Sequence, residues 1–466
     1  VGIAPCAPAT RDTAMHDLVN VEGMPYDVLS KSITWDWETF PEFMSAAQRR
    51  GAALNLAFLA PLTPFRYQVM GSEAVDRAAT PKETASIAAL LRQAVTAGAF
   101  GFSTTMLPNH IGHGGRPLAC RQADRAELRA YARAVGSTGT GTIQVALTQE
   151  VSVVSDDNFE ILDLLLTESS RPVTWSALVH REDIPDACDK SLKRLEPLLR
   201  RGATPQISAR RLMRDMDLKM PFSFMGFKSW HGVFNKSVPE QIAFYRDPAF
   251  RNRFREELKG PAQFTGNWEL LSVAEVGKPE LKRHEGKTIA QIARESGKDG
   301  VDALLDFGID DNLDAEFTAA FLNTNEAGVT KLLRDSRTLI GLADGGAHLA
   351  QLCDAGYPTY VLGHWVRERK ALSLEYAVKR LTSEPADVFG IRDRGRLTPG
   401  LAADICVFDP ATVGSDERGK KRFDLPGGAK RIVTDSRGVD YTIVNGSVIY
   451  EVGAMTGALP GKVLHS

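Results

Sequence analysis

The feature that most constrains this chain is an alternation. Short apolar, β-rich runs keep giving way to amphipathic helical stretches. Strands are expected at "ALNLAFL" (53–59), "AFGFST" (99–104), "TIQVAL" (142–147), "PVTWSAL" (172–178), "TPQISA" (204–209) and "TLIGLAD" (338–344). They read as continuous apolar runs, the pattern of strands covered on both faces. The helices between them have marked ends. "TPKETASIAALLRQAVTAG" offers Thr80 as N-cap, Pro81 at the first helical position, Glu83 to complete a capping box and Gly98 as a stop. "ADRAELRAYARAVG" repeats the device with Asp124 and Glu127, and "DNFEILDLLLTES" supplies Phe159, Leu162, Leu165 and Leu166 as a buried stripe. Repeated strand–helix units imply a parallel α/β sheet, closed or open. No GxGxxG or P-loop marks a nucleotide-binding open sheet. The expected fold is therefore a (β/α)8 TIM-type barrel. Six strands fall two short of it, and the chain opens on "VGIAPC" without a methionine, so the first strands are expected upstream of Val1.

Charge narrows the function. With 56 basic and 58 acidic residues the net charge is -2, which gives no electrostatic basis for nucleic-acid binding. Cys6, Cys120, Cys188, Cys353 and Cys406 are scattered without CxxC spacing, pointing to reduced thiols and a cytoplasmic setting. No apolar run reaches the roughly 18 residues of a membrane span, so no membrane partner is expected.

The alternation lapses between about 209 and 325, where "MPFSFMGFKSWHGVFNKSVPEQ" is aromatic and irregular. An insertion of this length between strands shapes a pocket or forms a structural flap. "SLEYAVKRLTSEPADVFG" then reads as a helix, a break at Ser383 and Pro385, and a short helix ending at Gly390. From about Gly395 the pattern becomes short strands and turns, with Asn445-Gly446 as a hairpin signal. The expected division is a barrel at 1–393, N-terminally truncated, and a small β-sandwich domain at 394–466.

"TSEPADVFGIRDRGRLTPGLAADICVFDP" and "VDYTIVNGSVIYEVG" resemble the passage from barrel to β-sandwich in the amidohydrolase superfamily. "WDWETFPEFMSAAQRRGAALNLAFLAP" (35–61), "TAGAFGFSTT" (96–105) and "RTLIGLADGGAHL" (337–349) resemble its N-acyl-D-amino-acid deacylase branch. The resemblance implies a role for Asp344, which closes the last strand ahead of Gly345 and Gly346. It would contact a divalent metal, take a proton from activated water and pass it to the leaving nitrogen. On pattern alone, Asp344 reads equally well as a cap at a strand–helix junction. The family's His-x-His and its cysteine ligand are expected upstream of Val1, and Cys6 does not take that role. The histidines expected at the ends of strands five and six are replaced by Leu147 and Ala177. Gln149, and less well His180, are the candidate stand-ins.

His110, in the Gly-rich loop "TTMLPNHIGHGGRP", is a candidate substrate contact, whereas His113 reads as ordinary loop. His348 is placed to hydrogen-bond and orient Asp344, or else faces solvent at a helix start. Arg116, Arg210 and Arg211 follow strand ends and suit a substrate carboxylate. The leading reading is a metal-dependent hydrolase of a linear, non-peptide amide, such as an N-acyl-D-amino acid, using zinc or another divalent metal, with one ion. The alternatives are a cyclic-amide (hydantoinase-like) hydrolase and a catalytically silent barrel kept as a binding or scaffold subunit. Lacking the first strand's ligands, the chain as it stands is expected to be inert or weakly metallated.

Overall fold

The structure is a computed structural model that describes residues 2–466 apart from 109, 220, 222, 223, 225, 234, 235, 261–263, 265, 350 and 351. Parts of the aromatic stretch at 220–241 and the end of "GGAHLAQ" thus lie outside the described residues. The strands that matter here are β1 (Ala60–Pro61), β2 (Gly101–Thr105), β3 (Thr142–Ala146), β4 (Val173–Leu178), β5 (Ala203–Ile207), β6 (Leu212–Asp217), β7 (Leu271–Glu275), β8 (Glu316–Leu322) and β9 (Leu339–Ile340). The chain forms two compact units. One joins Val1–Val179, Cys188–Ala209 and Thr330–Ser466; the other joins His180–Ala187 and Arg210–Val329.

The first unit is built on a six-stranded sheet in the order β1-β2-β3-β4-β5-β9, and every pairing is parallel. Each strand lies beside its predecessor, with no reversal of order. A doubly wound sheet reverses at a switch point, so the winding is that of a barrel wall. All the loops that follow the strands consequently leave from one edge.

Strand register corrects one expectation. Ser103, Gln144, Thr174 and Thr204 stand in one row across β2 to β5, and Phe102, Ile143, Val173 and Ala203 in the next. Rows alternate faces. One face is therefore polar and the other apolar, with Phe102, Ile143, Val145 and Trp175 fully buried. The strands alternate; they are not uniformly apolar. The ends differ too. Residues 53–59 belong to no named strand, Leu56 forming only an isolated bridge to Val463, and β9 has two residues where seven were expected.

The helices follow their caps. Thr80 and Glu83 form a reciprocal capping box at the start of Pro81–Thr96, as do Asp124 and Glu127 at Arg125–Gly136. Each such cap stabilises by about 1 kcal/mol. In Asp156–Ser169 the buried stripe is Ile161, Leu162, Leu165 and Leu166, while Phe159 sits half-buried under Arg194. The break at Thr382 separates helices Leu374–Leu381 and Ser383–Phe389, which ends on left-handed Gly390. Beyond it, Val439–Val444 and Ser447–Glu451 pair across Asn445-Gly446, both with positive φ (48° and 83°), in the turn that signal demands.

The second unit has its own antiparallel sheet in the order β6-β8-β7. The aromatic stretch becomes its core. Phe224, Trp230, Tyr245, Phe250 and Phe254 are fully buried, with the Trp230 and Phe254 rings edge to face at 5.1 Å.

A buried ion pair ties helix Leu62–Met70 to helix Arg125–Gly136. Arg66 donates to Glu127 Oε2 and to the carbonyls of Ala74 (3.3 Å) and Arg77 (2.8 Å). Glu127 also accepts the Ala79 N–H at 2.8 Å and the Tyr131 O–H at 2.6 Å. Both charges are fully buried. Removing one partner strands the other, at a cost of about 3–5 kcal/mol. Urea denaturation is expected to show that loss for Arg66→Met, with much of it recovered in Arg66→Met/Glu127→Leu; equal stability of wild type and single variant would contradict this.

Candidate active site

Four residues singled out from sequence lie past the C-terminal ends of strands of the same parallel sheet. His110 follows β2, Gln149 follows β3, and Asp344 and His348 follow β9. That edge is where chemistry is sited in barrels of this winding.

Asp344 is positioned by backbone. The Gly341 N–H donates to Ile207 O at 2.9 Å, continuing the β5–β9 ladder one residue past the strand. The chain then turns through Leu342 (φ 60°), Asp344 (φ 43°), Gly346 (φ 93°) and His348 (φ 49°), all left-handed. Three of those four carry a side chain and pay for a conformation that favours glycine. Hydrogen bonds hold the turn: Asp354 N–H to Ala343 O at 2.9 Å and Ala347 N–H to Asp344 O at 3.2 Å. The C-terminal β region braces it from outside. Ile432 N–H donates to Leu349 O at 2.7 Å, and the Thr434 hydroxyl donates to Cys353 O at 2.8 Å. Asp344 itself is half-buried, and its carboxylate has no hydrogen bond or ion pair among the described residues.

His348 does not hydrogen-bond Asp344. Its Nε2 lies 3.9 Å from Glu22 Oε2, at the end of helix Arg11–Glu22. The same helix grips the loop after β2. Asp17 Oδ1 accepts the His113 N–H at 2.7 Å, Asn20 Nδ2 donates to Gly112 O at 2.7 Å, and the His16 and His113 rings stand 4.4 Å apart. A side chain at position 112 would meet Asp17, its Cβ 2.5 Å from Oδ1. Asp17 is buried, which pushes its carboxyl up, while the His113 N–H and the Tyr67 hydroxyl at 3.0 Å pull the other way.

His110 is half-buried, and its Nδ1 has no protein partner among the described residues. Burial, the largest cause, lowers its pKa to about 4. The imidazole is thus neutral at pH 7 and presents one donor and one acceptor nitrogen.

Other candidates go elsewhere. Gln149 is exposed on a bend. Leu147 is fully buried, its N–H bonded to Ser176 O at 2.9 Å, and remains core. Ala177 is half-buried in β4. His180 is buried within the second unit, where its N–H donates to Asn323 Oδ1 at 2.6 Å and its ring fills the space beside Gly328. Arg116 is paired with Asp76, and Arg210 is fully buried in the second unit. Cys6 is buried beside Thr10, and burial pushes its thiol up, away from the thiolate form. Sequence reasoning missed Asp17, Glu22 and Tyr67. Their partners lie tens to hundreds of residues away, so no local signal marks them.

The described residues contain no group of three His, Cys, Asp or Glu side chains able to hold a metal ion. They also contain no helix long and apolar enough to cross a membrane.

Residues 267–450 match the Amidohydrolase family. The chain is 24% identical over 451 residues to a D-aminoacylase of Alcaligenes xylosoxydans xylosoxydans, covering 94% of this chain and 76% of the relative. It is 25% identical to an N-acyl-D-aspartate deacylase of the same organism, covering 94% of this chain and 74% of that one. Among solved structures, an N-acyl-D-glutamate deacylase from Bordetella bronchiseptica, complexed with zinc and a phosphonate inhibitor, superposes with a TM-score of 0.60 at 21% identity. That match covers all of this chain (100%) and 80% of the other. The fold is an amidohydrolase fold, and the family and these relatives support a hydrolase acting on carbon–nitrogen bonds.

The His110 assignment has a consequence for stability. Between pH 6.5 and 4 the unfolded chain takes up a proton on this histidine that the folded chain refuses, so stability falls as pH drops through that window. His110→Gln is expected to lose less stability than wild type between pH 7 and 4, read from urea midpoints. Parallel profiles would contradict it.

Proposed function

We propose that the chain hydrolyses the linear amide of N-acyl-D-amino acids, with Asp344 as the proton-transferring carboxylate. The observation that carries this reading is Asp344 itself: a half-buried carboxylate without a partner among the described residues, beyond the last strand of a parallel sheet. Relatives named as deacylases of D-amino acids align along 94% of the chain.

A divalent ion is implied by the family relationship and by the zinc in the deacylase structure. Asp344 suits such an ion, but the described residues do not complete a donor set around it. What the chain's own groups supply is proton handling and orientation. The Asp344 carboxylate accepts a proton from the attacking water and returns it to the departing nitrogen, so that nitrogen leaves as a neutral amine. His110, held neutral, offers a hydrogen bond to the amide without carrying charge into the site. His348 is oriented through Glu22. The substrate is a small molecule, and the five free cysteines accord with a cytoplasmic setting.

With zinc supplied, release of free D-amino acid from N-acetyl-D-leucine is expected, and the L-enantiomer is expected to react far more slowly. Asp344→Asn should cut turnover by roughly 10²–10⁴-fold, the range for losing a general acid–base group, at unchanged melting temperature. Activity retained in Asp344→Asn would overturn its role. Dialysed protein is expected to hold less than stoichiometric zinc, and full retention would show a donor set beyond the residues named here.

A further inference from the structure

We propose that Asp17 is the positioning residue for His110: it fixes the loop after β2 so that the His110 ring stays half-buried at the sheet edge, set for the substrate amide. This rests on the deacylase reading and deepens it by naming what holds the amide-binding histidine in place. The loop is anchored on both sides of His110. On one side, Arg121 Nη1 donates to Pro108 O at 3.0 Å and to His110 O at 3.3 Å. On the other, the chain closes into a tip. Ile111 bridges Pro117, the Gly112 N–H donates to Arg116 O at 2.7 Å, and the Gly115 N–H donates to Gly112 O at 3.2 Å. A closed tip moves as one piece, so whatever holds it also holds Ile111, the residue next to His110.

Asp17 holds that tip. Its Oδ1 accepts the His113 N–H at 2.7 Å, and its Oδ2 accepts the hydroxyl of Tyr67, on helix Leu62–Met70, at 3.0 Å. Asp17 is only 2% exposed, so water does not compete for either bond. Asn20, one turn further along helix Arg11–Glu22, adds a bond to Gly112 O at 2.7 Å. The fit leaves no slack, since a Cβ at Gly112 would stand 2.5 Å from Asp17 Oδ1 and 3.2 Å from Leu118 Cδ2. An apolar side chain would cost less to bury at position 17 than a carboxylate. What the carboxylate adds is an acceptor for a backbone donor 96 residues away. Between the two anchors sits a His110 ring whose Nδ1 is buried without a partner among the described residues. A polar nitrogen held in that state is costly until a ligand meets it, so it persists only while both anchors hold.

The test joins kinetics to an NMR titration of the His110 ring in wild type, Asp17→Leu, Asp17→Asn and Gly112→Ala, with melting temperature as a check on folding. Asp17→Leu removes both acceptor oxygens. Gly112→Ala drives the tip off an intact Asp17 and changes no charge, and it carries the comparison should Asp17→Leu not fold. In both, kcat/KM for N-acetyl-D-leucine should fall by about 10-fold, the loss of one well-placed hydrogen bond. Asp17→Asn keeps an oxygen for the His113 N–H and should stay close to wild type. In a His110→Ala background either change should cost no more than about 2-fold further, because residues that act through one contact are not additive. The full loss reappearing in that background would make Asp17 merely structural and overturn the assignment. The ring titration needs no turnover, so it separates this assignment from the deacylase reading. His110 should titrate at about pH 4 in wild type and rise toward the ordinary value of about 6.5 in Asp17→Leu and Gly112→Ala, as the ring gains water. An unchanged titration in both variants would overturn the assignment. Those shifts in an inactive protein would support Asp17 and count against the deacylase reading alone.

Discussion

Everything at this site depends on how a two-residue strand is held. β9 is too short to define its own direction, so its neighbours define it. Gln206 and Ile207 pair with Leu339 and Ile340, and Gly341 extends the ladder. Just upstream, the fully buried Arg380 donates to Thr338 O at 2.6 Å and to its hydroxyl at 2.7 Å, with its charge met by Glu384 at 2.9 Å. A buried guanidinium is tolerated only when its donors find acceptors, so this pairing fixes where the strand starts. The pairing with β5 fixes where it ends, and the left-handed turn that follows carries Asp344 out at the sheet edge.

The supports around that turn come from distant parts of the sequence. Helix Arg11–Glu22 reaches both the loop after β2, through Asp17 and Asn20, and the loop after β9, through Glu22 and His348. The C-terminal β region holds the far side of the second loop through Ile432 and Thr434. A turn with successive positive-φ residues persists only when its surroundings over-determine it, and here two elements do so from opposite ends of the chain. The β region thereby acquires a structural task at the site without contributing a chemical group to it.

Much of the fold was legible because its signals are local. Thr80 with Glu83, Asp124 with Glu127, and Asn445-Gly446 each encode their element within a few residues, and each forms as read. The position of Asp344 past the last strand was legible for the same reason, since a carboxylate and two glycines after an apolar run is a local pattern. What failed was long-range. Glu127 reads as a capping residue, yet its larger role is the buried pair with Arg66, 61 residues away. His348 reads either as a group orienting Asp344, four residues back, or as a solvent-facing helix start, and its ring lies 3.9 Å from Glu22, a partner no local pattern names. The strands looked continuously apolar because Thr and Gln were read with their apolar neighbours; register shows that they share one face.

The central claim is that Asp344 and His110 line one substrate mouth at the C-terminal edge of the parallel sheet. A crystal structure with a phosphonate analogue of an N-acyl-D-amino acid tests this most directly. The account predicts the phosphonate within hydrogen-bond reach of Asp344 and His110. An analogue bound at full occupancy anywhere else, with these two side chains untouched, would contradict it.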